Sequence, residues 1–144
     1  MKIQDDLTKY ISTALNNTLP EKTKIKTRFH LLDAIVSILT GRLLPPGQKG
    51  FNFSKNQGGV QEATLLGNNI KVSAINAAFS NGMAAHANET DDSHTKGRFH
   101  PGCAIIPTTL AIAEKENLSS EEIFKGIALG LSLIHISEPT RRLV

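Results

Sequence analysis

Between Asn88 and Gly102 the chain gathers Glu89, Asp91, Asp92, Ser93, His94, Lys96, Arg98 and His100. Carboxylates, imidazoles, a hydroxyl and two cations within a dozen positions offer every partner that acid–base chemistry needs. A loop is polar because its backbone needs water, and that reading alone accounts for polarity. It does not account for a mixture of acids, bases and hydroxyls where loops more often carry Ser, Gly and Asn. The segment ends in His100-Pro101-Gly102, just ahead of an expected helix N-terminus. Free N–H groups and the dipole at such an end favour an anion and disfavour a cationic imidazole, which suits proton transfer near neutral pH.

Other chemistries in the same region read less well. His86, Glu89, Asp91, His94 and His100 are all ligand types for zinc or iron, but no pair has a ligand spacing and helix-borne HExxH is absent. No bound metal is therefore expected. Cys103 near a helix start could be an activated nucleophile, yet Ala104, Ile105 and Ile106 favour a buried packing thiol. His30, between Phe29 and Leu31, reads as a satisfied core or boundary histidine. His86 ends a helix, where a cation complements the dipole, and also borders the polar segment. The Pro46-Gly47 and Gly58-Gly59 pairs are turns, since no phosphate-cradling G-x-x-x-x-G-K is present.

The elements that must position these residues are mainly helical. The spacing of Leu7, Tyr10, Ile11, Ala14 and Leu15 predicts a first helix over about 4–14. A second runs from Glu21, after Pro20, to Gly41, expected as a C-terminal cap. Ile25, Phe29, Leu32, Val36 and Leu39 form one stripe on it, and Leu31, Ile35 and Ile38 a second, so its later half should be buried on two sides. Leu44 to Gly59, with two prolines and four glycines, reads as loop. Glu62–Leu66 and Ile70–Val72 around Gly67-Asn68-Asn69 read as a small hairpin. Ser73 can cap a helix reaching about His86, with Ala74, Ala77, Ala78, Phe79, Ala84 and Ala85 on its face. A further helix should start near Ala104, with Pro107 in its first turn, and end near Glu116. Ser119 and Glu122 fit a capping box for a last helix through at least Gly130.

Composition bounds the class. The chain has 144 residues, 40% hydrophobic, with one cysteine and no tryptophan, enough for one domain with a core. A lone cysteine excludes a disulfide scaffold. The net charge of +3 is scattered, which argues against nucleic acid as a partner. The polar N-terminus lacks the apolar core of a signal peptide, and 103–113 is too short and interrupted to span a bilayer. A cytoplasmic protein without membrane partners is expected.

The ordered run Ala77 to His86, then Glu89-Thr90-Asp91-Asp92-Ser93-His94, His100-Pro101-Gly102 and Ile106-Pro107, resembles the MmgE/PrpD family. Leu31-Leu32-Asp33-Ala34, Gly41 and Glu62 to Gly67 fall where that family has similar residues. The family includes 2-methylcitrate dehydratase, cis-aconitate decarboxylase and iminodisuccinate epimerase. The resemblance implies a two-domain, homodimeric, cofactor-independent enzyme for small polycarboxylates, of which 1–130 is the opening part of the large helical domain. It implies an active-site acid, hydroxyl and histidine at Glu89, Ser93 and His100. Glu89 and Ser93 stand where the decarboxylase has Asp and Thr; the longer acid bears on substrate choice. For a 2-methylcitrate dehydratase-like reaction, His100 would transfer the proton, Ser93 donate a hydrogen bond, and Glu89 or Asp92 orient the imidazole. Asp91, Asp92 and His94 would line the substrate site, and Lys96 and Arg98 meet some of its carboxylates. A decarboxylase or epimerase would use the same loop. A helical binding module that kept the fold without catalysis, and a metal-dependent hydrolase, are the readings from other classes.

Residues 131–141 read LSLIHISEPTR, which resembles the translation of a transposase-end adapter used in sequencing libraries. The expectation is that the natural sequence gives way at about Gly130, that 131–144 is artefact, and that the fragment alone is inactive. Without 131–144 the net charge falls to +2.

Overall fold

The computed structural model describes residues 2–95 and 97–137. Their order is α1 (Lys2–Asn16), α2 (Glu21–Gly41), α3 (Pro45–Gln57), β1 (Ala63–Leu65), β2 (Ile70–Val72), α4 (Ala74–Ala85), α5 (Gly102–Glu116) and α6 (Ser120–Ser137). Helices dominate, with one small antiparallel sheet, as the sequence predicts. Among the described residues no helix is long and apolar enough to cross a membrane. Lys96, Pro139 and Arg141, each part of a sequence expectation above, lie outside the described residues.

The short, small-residue helix α4 is the centre of the arrangement. It packs against α2, α3 and α5, while α6 closes over α2 and α5 and carries α1 on its outer side. Alanines make this possible: Ala77 and Ala85 are fully buried, and Ala74 and Ala84 nearly so. Ser73 caps the helix, its hydroxyl accepting from the Asn76 N–H at 3.4 Å. Phe79, expected on the buried face, is instead half exposed and meets Phe53 edge to face, with centroids 5.4 Å apart.

Two expectations for α2 are overturned. Its buried line is Thr27, Ala34, Ser37, Ile38 and Gly41, while the stripe Ile25, Phe29, Leu32, Val36 and Leu39 faces outward. The reason is steric: α4 approaches closely and selects the face with small side chains, leaving the bulky stripe on the other side. Gly41 is also no cap. It is the last helical residue, and a Cβ there would lie 1.9 Å from the Ala84 carbonyl oxygen. The glycine permits the α2–α4 crossing.

The segment 44–59 is a helix, not a loop, over Pro45–Gln57. Leu44 is extended, and Pro45 and Pro46 occupy the first turn, where a missing N–H costs nothing. Gly47, Gly50 and Ser54 form its buried line. A Cβ on Gly47 would meet the Gly41 carbonyl at 2.3 Å, and one on Gly50 the Met83 sulfur at 3.0 Å. The glycines are thus the contact face, which composition alone mistakes for a loop signal.

The hairpin holds the expected strands, with Ala63 opposite Val72 and Leu65 opposite Ile70. Buried Asn81 of α4 anchors it, accepting from the Leu66 N–H and donating to the Thr64 carbonyl, both at 3.0 Å. Ala63, Leu65 and Val72 join Ala74, Ala77 and Ala111 in one apolar cluster. A second cluster unites Ala34, Ile106, Ile127 and Leu131.

Helix α5 starts at Gly102, so Pro107 stands in its second turn rather than its first. The Cys103 carbonyl, deprived of its helical donor by that proline, lies beside Gly82, where a Cβ would come within 2.9 Å. The capping box forms: the Glu122 carboxylate accepts from the Ser119 N–H and hydroxyl at 2.8 and 2.7 Å. Helix α6 continues past Gly130, and Tyr10 Oη meets Ser132 Oγ at 2.5 Å.

Candidate active site

The end of α4, the segment 87–101 and the start of α5 bring four chemical side chains together. His86 caps α4 in right-handed conformation, and Asp91 sits beneath it with its side chain 1% exposed. Asp91 Oδ1 receives His86 Nδ1 at 3.2 Å and His100 Nδ1 at 3.3 Å. The Asp91 carbonyl lies 3.3 Å from the same His100 nitrogen. The two imidazole centroids are 4.8 Å apart. Beneath them the Cys103 thiol donates to the His100 carbonyl at 3.1 Å.

Sequence spacing explains the convergence. The α4 helix turns His86 toward the segment, and Pro101-Gly102 starts α5 immediately after His100. The Asp91 carboxylate accepts from His86 and lies within ion-pair distance of His100, contacts that offset the cost of burying an acid. Of the three acids in the segment, Asp91 is the one in contact with both imidazoles.

Asp92 has a different role. One oxygen accepts the Gly102 N–H at 2.7 Å, capping α5 from ten residues upstream, and the other pairs with His30 Nδ1 of α2 at 3.2 Å. Burial pushes the Asp92 carboxyl up, but the His30 and Gly102 donors outweigh it and hold it below its ordinary value. His30 is raised, chiefly by its hydrogen bond to Asp92 and against the opposing effect of burial. His30 and Asp92 also line a cleft of about 560 Å³ with Phe29, Leu32, Asp33 and Val36.

His94 shapes the turn. Its carbonyl accepts the Arg98 N–H at 2.8 Å, its Nδ1 accepts the Gly97 N–H at 3.0 Å, and its ring stacks on Phe99 at 5.1 Å. Arg98 and Glu89 both adopt left-handed φ values, 53° and 54°, so each marks a tight bend. The side chains of Glu89, Ser93 and Arg98 are exposed, outside the Asp91-centred cluster. The sequence reading left His86 ambiguous and gave His30 only a packing role. No local signal could have found His30, because its partner lies 62 positions away in another element.

The model of the MmgE/PrpD N-terminal domain matches residues 5–133. The chain belongs to the MmgE/PrpD family. This is an enzyme family that includes lyases and dehydratases. No curated protein and no solved structure matches the chain.

Within this MmgE/PrpD domain, the one set of described residues with metal-ligand geometry is His86, Asp91 and Cys103, whose donor atoms lie within 4.8 Å of one another. Burial, and then the Asp91 charge, push the Cys103 thiol up to about 11. That favours a neutral hydrogen-bond donor over a thiolate ligand or nucleophile. The set thus serves the hydrogen-bonded cluster first.

Proposed function

We propose that this chain is the N-terminal helical part of a cofactor-independent lyase or isomerase acting on small polycarboxylates, with 2-methylcitrate dehydration the favoured reaction. The observation that carries the reading is an imidazole, His100, held by a buried carboxylate at the mouth of a polar segment within an MmgE/PrpD domain. With Nδ1 engaged by Asp91, the ring offers Nε2 to a substrate. Removing a proton from the carbon beside a carbinol and protonating the departing hydroxyl is work for which such imidazoles are suited.

In this proposal His100 transfers the proton, Ser93 donates a hydrogen bond to the reacting oxygen, and Glu89 and Arg98 meet the substrate from exposed positions. Lys96 supplies a further cation. Asp91, Asp92 and His94 shape the site from below. The remaining carboxylate-binding cations come from parts of the enzyme beyond this segment, so the 144-residue chain alone is inactive. The working enzyme is a cytoplasmic homodimer. Replacing His100 with Gln in the full-length enzyme should abolish turnover of 2-methylcitrate with the fold retained; near-normal kcat would overturn the assignment.

A further inference from the structure

The geometry points to His86 as a second proton-transfer residue, paired with His100 through the buried carboxylate of Asp91. The inference rests on the acid–base reading of His100 and extends it to His86, to which the resemblance assigned no role.

Elimination of water needs both a base and an acid, and a single imidazole provides one at a time. Here two imidazoles lean on one carboxylate oxygen at 3.2 and 3.3 Å, through the same ring nitrogen. His86 Nδ1–H donates to the Asp91 carboxylate and His100 Nδ1–H to the Asp91 backbone carbonyl, so each ring keeps Nε2 for a substrate. Charge fixes how many protons the pair carries. Two imidazolium rings 4.8 Å apart would repel, with one anion to offset both. Two neutral rings would leave the Asp91 carboxylate buried without a cation. One ring acting as acid and the other as base avoids both arrangements.

The helix ends decide which ring takes which role. His86 is the C-terminal cap of α4, where a cation complements the dipole, whereas His100 precedes the N-terminus of α5, where it does not. Among the surrounding groups only Asp92 acts against this asymmetry. Asp92, on the α5 side, attracts charge at His100, but its oxygens are committed to His30 and Gly102; Cys103 is a neutral thiol, and His94 Nδ1 is held by Gly97. The helix ends thus suit His86 to the role of acid and His100 to that of base.

The step then balances. His100 Nε2 takes the proton from the carbon beside the carbinol, and the C–H electron pair becomes the new π bond. The C–O bond breaks, and its oxygen leaves as water with the proton from His86 Nε2. The pair ends with the same proton count, shifted from His86 to His100. Exposed His86 then regains its proton from solvent as His100 loses one. Asp91 is the positioning residue that holds both rings in register.

The test compares two readouts in the full-length enzyme with 2-methylcitrate in deuterated water: exchange of the carbon-bound proton and elimination of water. His86→Gln should slow elimination by about 100-fold or more while exchange stays within about tenfold, and His100→Gln should lose both. Added imidazole should restore elimination to His86→Ala. Normal elimination in His86→Gln with an inactive His100→Gln would overturn the role of His86 and leave the function standing. An active His100→Gln would overturn the function itself. Should the His86 variants not fold, nitrogen-15 spectra of the wild-type histidines decide: an Nδ1–H on both rings supports the pair, and a ring without one overturns it.

Discussion

His30 Nδ1 lies 3.2 Å from Asp92 Oδ2, tying the middle of α2 to the first turn of α5. The other Asp92 oxygen accepts the Gly102 N–H, so one carboxylate both caps a helix and clamps its neighbour. His30 is raised above its ordinary 6.5, so its contribution is complete below pH 6.5 and lost as pH rises through the raised value. Asp92 is lowered from 3.8, so its contribution is present above pH 3.8 and lost as pH falls through the lowered value. The clamp is therefore strongest between these limits. Because the His30 side chain is 39% exposed, screening holds its share to about 0.5 kcal/mol. The stability difference between urea melts at pH 5.5 and 8.5 should change by that amount in His30→Gln relative to the wild type. An unchanged difference in the variant would place the pH dependence elsewhere.

Gly41→Ala tests the α2–α4 crossing. The added Cβ would stand 1.9 Å from a backbone oxygen, which cannot swing aside as a side chain could. Separating the helices also loosens Ile38, Ala84 and Ala85, which share one apolar cluster. The expected cost is about 3 kcal/mol or more, read from chemical denaturation. Were Gly41 a mere helix stop at a solvated end, the same change would cost well under half of that.

The hairpin, the capping box and most helices were legible because their signals are local: alternation, 3.6-residue periodicity, and Ser119 three residues before Glu122. The polar segment was legible too, since its chemistry is contiguous in sequence. Helix α3 was not, because Gly47 and Gly50 carry meaning only once α2 and α4 are beside them. The apolar stripe from Ile25 to Leu39 misled for the complementary reason. Periodicity reveals that a face is apolar, but which face a neighbour covers depends on how closely that neighbour can come. Asp91 as hub and His30 as clamp depend on contacts between elements that no spacing rule encodes.

Cys103 should be a slow thiol. Burial and the Asp91 charge raise it from 9.0 to about 11, and its S–H is already committed to the His100 carbonyl. At pH 8 the thiolate fraction then falls about 100-fold below that of a thiol at the ordinary value. Alkylation by iodoacetamide, followed by mass spectrometry, should be slower by a similar factor than for a thiol in an unfolded control. Labelling at the control rate would mean that the thiol is neither buried nor bonded as described, and would revive the nucleophile reading.

Leu32→Lys probes the outward stripe of α2. Phe29, Leu32 and Val36 are 68%, 60% and 52% exposed, so they are adjacent apolar side chains on one helix face in contact with water. A lysine at Leu32 loses little packing, and the stability of the chain should stay within about 0.5 kcal/mol of wild type. Exposed apolar faces of this kind drive association, and the added charge should lower it. Sedimentation over a range of concentrations should show less self-association for the variant, with the thermal midpoint unchanged. A loss of about 2 kcal/mol would instead show that the stripe is covered, and that the line Thr27, Ala34, Ser37, Ile38 and Gly41 is not the sole buried face of α2.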